Sequence, residues 1–256
     1  IYPHKYPKWL VLEVGVGKPG DMKKPASWLQ TDAVVITAIG ETPAHIEFFS
    51  SRKHLIEEKS QLIQTLKKPA RPGSAGGDGL LILNADDEDV LAMKAKTKSR
   101  TITYGFKEGA DILCYGDNIL YNNEGIPEGV IFRIDQEGNS LPVVIDGVFG
   151  RNHVYASLCA LALVSGLKFN ILEAIDRLKD YDVPPGRMRL LKGINDSLII
   201  DDTYNSSPFA CESALKTLGG IKQDEKSTKI NWRKIAILGD MLELGRHTVD
   251  AHKNIG

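Results

Sequence analysis

The chain has 256 residues, of which 42% are hydrophobic and 25% charged, and its formal net charge is -1. This composition is typical of one large or two smaller globular domains, and it excludes a disordered chain and a broadly basic nucleic-acid-binding surface. No apolar run reaches the roughly 18 residues of a membrane span, and the three widely spaced cysteines exclude a disulfide framework and fit a reducing cytoplasm.

The first part of the chain alternates between strand-like and helix-like patterns. Apolar runs predict strands at Trp9–Val14, Ala33–Ala38 and Leu80–Leu83. Residues 52–66 carry apolar side chains at helical spacing and predict an amphipathic helix, whereas residues 69–79 (PARPGSAGGDG) predict a surface loop. Strand–helix–strand alternation predicts the α/β class, with a mostly parallel central sheet flanked by helices.

Residues 101–149 follow a different pattern. Four short β-type runs (TITYGF, ADILCY, VIFRI and LPVVI) are separated by glycine and asparagine turns and predict an antiparallel β meander. An Ala- and Leu-rich helix is predicted at Val154–Gly166, and a second helix follows it with Asn170 as its N-cap.

The segment DVPPG, residues 182–186, interrupts these elements and predicts a domain boundary. Beyond it, the patterns predict a hairpin at Arg189–Asp201, a helix from Pro208 and a strand at Lys234–Leu238. We therefore assign residues 1–183 to a central domain. Residues 184–256 are assigned to the beginning of a second, Rossmann-like α/β domain.

The loop LEVGVGKPGD, residues 12–21, has the glycines and the Gly-Lys pair of a phosphate-binding loop. The position that should hold the first glycine is Leu12, and the residue after the Gly-Lys pair is Pro19, which has neither a hydroxyl nor a backbone N–H. These two differences exclude a P-loop. The informative residue is instead Glu13, expected at the C-terminal end of a buried strand, where open α/β sheets bind ligands. The alternative is an ordinary solvated acid at a strand end.

A lysine interrupts the apolar face of the predicted helix at residues 52–66. Lys59 occupies the position that should complete the face begun by Leu55 and Ile56. Burial lowers the pKa of a lysine and favours the neutral amine, which reacts with CO₂ to form a carbamate. The alternative is a lysine at the edge of the face whose amine extends into solvent.

His45 lies shortly after the predicted strand Ala33–Ala38. With Glu13 and a carbamylated Lys59 it would provide one imidazole and two carboxylates at the ends of neighbouring strands. Oxygen ligands with one imidazole suit Mg²⁺ or Mn²⁺. A single histidine is more often structural, so this metal-site hypothesis depends on the three residues together.

Seven motifs in order resemble the Mur ligases of peptidoglycan synthesis: LEVGVGKPGD, TAIGETPAHIEFFSSR, IEEKSQLI, LNADD, PPGRMRL, IIDDTYNSSP and ILGDMLELG. Three of them, PAHIEFF, DDTYNSSP and GDMLELG, are most similar to the member that adds the terminal dipeptide. The resemblance implies an ATP-dependent amide-bond ligase that joins D-alanyl-D-alanine to a UDP-N-acetylmuramoyl-tripeptide through an acyl phosphate. It also implies a cytoplasmic monomer.

The same resemblance implies roles for individual residues. Glu13 and His45 would bind Mg²⁺, and Lys59 would be the carbamylated lysine that supports a second metal ion. Arg187 would reach the ATP phosphates and Asp202 the ribose, with Asn205 near the nucleotide. Asn152 and His153 are candidates for the adenine side, although the family's His-Asn pair is reversed here.

The family's P-loop should lie N-terminal to Trp9, so we expect the chain to be a piece of a longer protein and to be inactive alone. Other Mur-type ligases remain alternatives: a diamino-acid-adding, a cyanophycin-synthetase-like or a folylpolyglutamate-synthase-like enzyme. A non-catalytic relative that keeps the fold for binding is a further alternative. The combination of Glu13, His45 and Lys59 argues against it, because a scaffold has no need for a lysine in an apolar face.

Overall fold

The computed structural model describes residues 7–40, 43, 45–68, 79–195, 197–222 and 233–256. Its main feature is a six-stranded sheet whose strands lie side by side in chain order. The strands are β1 (Ala33–Ile36), β2 (Leu80–Asn84), β3 (Arg100–Gly105), β4 (Ile112–Tyr121), β5 (Pro127–Gln136) and β6 (Asn139–Asp146). The first four run parallel, and β5 and β6 are antiparallel to their neighbours. The predicted α/β class with a mostly parallel sheet is confirmed.

Helices cover both faces of the parallel strands. They are α1 (Lys23–Trp28), α2 (Arg52–Ser60), α3 (Glu88–Ala92), α4 (Arg151–Gly166) and α5 (Ile171–Arg177). Strand β2 is buried along its whole length, and its side chains alternate between two apolar clusters. Leu80 and Ile82 pack in the cluster that includes α4, whereas Leu81 packs in the one that includes α2. Each fully buried leucine stabilises the fold by about 1.5–3 kcal/mol.

Local capping explains where several helices begin. The side chains of Ser51, Asp87 and Asn170 each accept a backbone N–H from the first turn of α2, α3 and α5, respectively. The predicted helices at residues 52–66 and Val154–Gly166 are confirmed, the first as α2 continued by a 3₁₀ turn at Gln61–Thr65. The predicted N-cap Asn170 is confirmed as well.

The predicted antiparallel meander is correct for three of its four strands. Its first run, TITYGF, forms β3 and pairs in parallel with β2. The short helix α3 returns the chain to the start of β3 after β2 has ended, and such a crossover makes the two strands parallel. β4, β5 and β6 are joined by short turns and form the antiparallel extension of the same sheet.

Two predicted strands are wrong. Trp9–Val14 belongs to no strand, and Trp9 and Val11 are 60% and 90% exposed. Lys234–Leu238 likewise forms no strand, and Ile237 is 94% exposed. An apolar run becomes a strand only where a neighbouring strand takes its backbone hydrogen bonds. Among the described residues, β1 pairs only with β2, and no strand adjoins either segment.

After residue 186 the chain forms a smaller unit. The predicted hairpin is confirmed as β7 (Arg189–Lys192) and β8 (Leu198–Asp201), and the predicted helix as α6 (Pro208–Gly220). A last helix, α7 (Thr248–Ile255), packs on α6 around the buried side chains of Cys211, Met241, Leu244 and Ala251.

The hairpin forms its own sheet but contacts the edge of the large one. Phe149 and Leu190 donate backbone hydrogen bonds across this junction, each 3.1 Å long, to Met188 and Gly147. The domain division at residues 183 and 184 stays a prediction, and the loop predicted at residues 69–79 lies outside the described residues except for Gly79. Within the described part of the chain, no helix combines the length and apolar character needed to cross a bilayer.

Candidate active site

The glycine-rich loop is closed by two carboxylates of the protein itself. Asp21 Oδ2 accepts the backbone N–H groups of Gly17 and Lys18 at 3.0 and 2.9 Å. Glu58 Oε1 accepts those of Gly20 and Met22 at 3.0 and 2.8 Å. The bonds from Lys18 and Gly17 lower the pKa of Asp21. Because these N–H groups already bind carboxylates, the loop has the geometry of an internally satisfied turn and not of a phosphate cradle.

Glu58 is a structural residue that sequence reasoning missed. It is only 4% exposed, and its second carboxylate oxygen accepts a 3.2 Å hydrogen bond from the Gln61 side chain. Helix α2 thus turns a carboxylate towards the loop at residues 17–22 and holds that loop against the sheet. The only available signal was its position three residues after the buried Leu55.

Lys59, the next residue, is half-buried, and burial lowers the pKa of its amine, with the carboxylate of Asp87 opposing this shift. Asp87 accepts the backbone N–H groups of Ile39 and Gly40, at 2.7 and 3.1 Å, just beyond the C-terminal end of β1. Lys59 therefore lies near the carboxyl edge of the parallel strands. Its amine forms no hydrogen bond or ion pair with any described residue. A half-buried, unpaired amine with a lowered pKa has the properties that carbamate formation requires.

His45 lies at the same edge in a left-handed backbone conformation, with a φ of 65°. Its Nδ1 atom is 2.9 Å from the carboxylate of Glu243, which lies in the GDMLELG segment and also has a positive φ, of 61°. His45 also contributes to lowering the pKa of Asp21. The imidazole is therefore close to the glycine-rich loop on one side and to the C-terminal unit on the other.

Glu13 is exposed and has no hydrogen-bond partner among the described residues. Because the expected strand at Trp9–Val14 does not form, Glu13 does not lie at the end of a buried strand. No group of three or more His, Cys, Asp or Glu side chains within the described residues is arranged to hold a metal ion. The donor chemistry of Glu13, His45 and a carbamylated Lys59 suits Mg²⁺, but their convergence on one ion stays a prediction.

Three of the five residues named for the nucleotide side are close together. His153 is buried in the first turn of α4, and its Nε2 atom is 2.8 Å from the carbonyl oxygen of Arg187. Asp202 Oδ1 accepts a 3.1 Å hydrogen bond from the backbone N–H of Met188. The Arg187 guanidinium is exposed and lies 4.1 Å above the centre of the Tyr204 ring. The hairpin unit thus places a cation and a carboxylate beside α4.

Burial is the largest cause of the pKa shifts of His153 and Asp202. It lowers the pKa of His153, although the carbonyl of Arg187 and the charge of Asp202 oppose the shift. It raises the pKa of Asp202, although the N–H of Met188 and the charge of Arg187 oppose this. We infer that His153 is neutral at pH 7 and holds the hairpin unit against α4.

The other two residues named for the nucleotide side do not join this cluster through any described contact. Asn152 is exposed and its side chain has no hydrogen bond to a described residue. Asn205 is also exposed, and its side-chain oxygen accepts the N–H of Ser206 at 2.8 Å. Their roles stay predictions.

Comparison with known proteins shows a clear relationship. The family model described as the Mur ligase middle domain matches residues 3–164. The UDP-N-acetylmuramoyl-tripeptide–D-alanyl-D-alanine ligase of Bacillus subtilis is 29% identical over 248 residues, which cover 96% of this chain and 47% of that protein. The ligase of the same name from Mycobacterium leprae is 26% identical over 262 residues, covering 97% and 48%.

Solved structures show the same fold. MurF from Acinetobacter baumannii has a TM-score of 0.75 at 21% identity, over 94% of this chain and 47% of that one. MurF from Thermotoga maritima in complex with ADP has a TM-score of 0.73 at 23% identity, over 93% and 49%. The chain spans about half the length of the curated relatives it matches. The family model matches most of the chain, and the predicted resemblance is therefore confirmed: the chain belongs to the Mur ligase family.

Proposed function

We propose that this chain is part of an ATP-dependent ligase of peptidoglycan precursor synthesis. The reaction joins D-alanyl-D-alanine to UDP-N-acetylmuramoyl-tripeptide. ATP phosphorylates a carboxylate of the precursor, the amine of the dipeptide attacks the acyl phosphate, and phosphate leaves as the amide forms. The nucleotide-linked substrate suits a cytoplasmic enzyme, and we propose that it acts as a monomer.

The observation that carries an enzymatic function is the environment of Lys59. A half-buried amine with a lowered pKa and no described partner lowers the stability of the fold, because desolvating a charged group is unfavourable. A catalytic role would explain why the sequence keeps a lysine at this position. A non-catalytic scaffold would have no use for such a group. The choice of substrates is supported by the ligases of that name, which align with nearly the whole chain.

Lys59 would act as a carbamate. Its neutral amine adds to CO₂ and releases one proton, which gives a carboxylate-like group at the carboxyl edge of the sheet. With His45 and Glu13 this group would hold Mg²⁺, which when bound neutralises charge between the ATP phosphates and the substrate carboxylate.

The nucleotide would lie between the central unit and the hairpin unit. Arg187 is exposed and its stacking on Tyr204 leaves the guanidinium N–H groups free to bind phosphate oxygens. The carboxylate of Asp202 would accept a ribose hydroxyl, with Asn205 nearby, and Asn152 and His153 would lie on the adenine side. The use of ATP is supported by the ADP in the similar MurF from Thermotoga maritima.

A hinge is proposed at residues 181–187. This segment joins the two units, residues 1–183 and 184–256, and closing about it would move Arg187 and Asp202 onto nucleotide held by the central unit.

The natural gene product that contains these 256 residues provides the test. Purified protein is incubated with ATP, Mg²⁺ and UDP-N-acetylmuramoyl-tripeptide, and phosphate release is measured with and without D-alanyl-D-alanine. We expect release that depends on the dipeptide, together with a product whose mass equals that of the pentapeptide precursor. Product formed with a diamino acid and not with the dipeptide would assign the chain to a different ligase. No substrate-dependent phosphate release would refute an enzymatic function.

A further inference from the structure

Two adjacent carboxylates of the β2–α3 turn, residues 85–87, bind the chain on either side of β2. Asp87 accepts two backbone N–H groups just beyond the end of β1, at 2.7 and 3.1 Å. Asp86 accepts the backbone N–H groups of Phe106 and Lys107, at 2.8 and 2.7 Å, just beyond the end of β3. Because β2 lies between β1 and β3, this turn holds the segments that leave both neighbouring strands.

The carboxylate of Asp86 also binds helix α4. The hydroxyl of Tyr155 donates a 2.8 Å hydrogen bond to Asp86 Oδ2, between residues that are 69 positions apart in the sequence. Burial raises the pKa of Tyr155, and the bond to Asp86 raises it further, so the hydroxyl keeps its proton at neutral pH. Gly105 makes room for this carboxylate, because a Cβ atom there would lie 2.7 Å from both of its oxygens.

The ring of Tyr155 is held by contacts that do not involve its hydroxyl. It packs edge-on against Phe106, with 5.2 Å between the ring centres. The guanidinium of Arg151 lies 4.5 Å from the centre of the Phe106 ring. It also donates hydrogen bonds of 2.7 and 2.9 Å to Asp117 on β4. The first turns of α4 would keep these contacts without the hydroxyl, so the bond to Asp86 can be tested separately.

The β2–α3 turn lies between the two halves of the proposed active site. On one side, burial lowers the pKa of Lys59, and the charge of Asp87 opposes the shift. On the other side, Tyr155 lies two residues after His153, whose ring contacts the hairpin unit. The bond between Asp86 and Tyr155 therefore attaches α4 to the same turn that holds the end of β1.

We propose that Tyr155 is a positioning residue that fixes the nucleotide side of the site relative to Lys59, an inference that rests on the proposed function. Its hydroxyl, bound to Asp86, attaches the first turns of α4 to the β2–α3 turn. Nucleotide bound beside α4 then presents its phosphates to the edge of the sheet where Lys59 lies. Such alignment matters for kcat, because a misplacement of about 1 Å can lower a rate about 100-fold.

The test removes the hydroxyl alone, with Tyr155→Phe in the natural gene product. We expect kcat to fall about 5- to 20-fold, because the groups react from a less well-defined geometry. The KM values for ATP and for the dipeptide should stay within about threefold of wild type, since the groups proposed to bind them are retained. Tyr115→Phe is the matched control and should keep the wild-type kcat. Its hydroxyl also bonds a side chain, that of Ser140, in the antiparallel part of the sheet.

A second substitution separates positioning from a merely structural effect. Lys59→Ala removes the group relative to which the nucleotide is positioned. In this background we expect Tyr155→Phe to lower kcat by less than about twofold, because residues that act as a unit are not additive. A structural loss would lower kcat by the same factor in both backgrounds, since Tyr155 and Lys59 share no hydrogen bond with each other or with a common described residue.

Unchanged kcat in Tyr155→Phe would overturn the proposal, and so would an equal loss with and without Lys59. We expect every variant to unfold well above the assay temperature, because Tyr155→Phe keeps the ring contacts. A wild-type protein that forms no product would refute the proposed function and this inference with it. An active wild-type protein with an unaffected Tyr155→Phe variant would refute the inference alone.

Discussion

Replacing Glu58 with alanine is expected to destabilise the protein by about 3 kcal/mol. This buried side chain accepts two backbone N–H bonds, from Gly20 at 3.0 Å and from Met22 at 2.8 Å. A hydrogen bond to a charged group contributes about 1.5–3 kcal/mol. The figure of about 3 kcal/mol uses the lower value for both bonds, because the exposed N–H of Gly20 can bind water after the substitution.

Glu58→Gln should have a smaller effect, of about 1 kcal/mol. Both backbone donors bind the same oxygen, Oε1, and the carbonyl of a glutamine can take its place. Only the 3.2 Å bond between Gln61 and Oε2 is lost, because an amide NH₂ at that position faces another donor. The structure therefore predicts a graded series, in which alanine destabilises the protein more than glutamine does.

Urea unfolding at pH 7 would measure both changes, provided that the m-values of the variants agree. Glu57→Ala is the matched control, since Glu57 is the adjacent carboxylate, is exposed, and its side chain forms no hydrogen bond or ion pair with a described residue. Its effect should be within about 0.5 kcal/mol of zero. If the alanine variants of Glu58 and Glu57 unfold at the same urea concentration, Glu58 does not hold the glycine-rich loop.

Three further predictions address the site and the hinge. Lys59→Ala in the natural gene product should lower kcat by about 10- to 100-fold, and bicarbonate or acetate should restore part of the activity. Near-normal rates would indicate that the amine of Lys59 extends into solvent and has no catalytic role. Burial raises the pKa of Asp87, but N–H donors from Ile39, Gly40 and Val90 outweigh it, and the pKa lies below its usual value. The resulting stabilisation should be present above about pH 4 and lost as the pH falls further, and Asp87→Asn should remove this part of the pH dependence of urea unfolding. Nucleotide binding should reduce the radius of gyration in solution scattering, whereas an unchanged value would argue against closure at residues 181–187.

The sequence by itself determined the elements whose causes are local. Helix α5 begins at Asn170 because the side chain of that residue accepts two N–H groups of the next turn. Helix α6 begins where Ser207 caps it and Pro208 occupies the first turn. The hairpin β7–β8 pairs neighbouring segments of chain. In each case the partners are a few residues apart, and the pattern alone could predict the result.

Strands were less predictable because their hydrogen-bond partners are distant. The run Ala33–Ile36 and the run Trp9–Val14 are both apolar, yet only the first lies beside another strand. The same reasoning explains why TITYGF joins the parallel strands: its place depends on the crossover through α3 and not on its own residues. Fold class could be predicted because it depends on the alternation of elements along the whole chain.

The candidate site shows the same division. Helical spacing predicted that Lys59 lies against the apolar face, and the motifs named His153, Arg187 and Asp202, but only the docking of the hairpin on α4 brings these three together. Glu58 and Lys59 are adjacent charged residues, and the sequence could not show which of them would be almost fully buried. The structure decides for Glu58, because the loop at residues 17–22, distant in the sequence, presents two backbone N–H groups that the Glu58 side chain accepts.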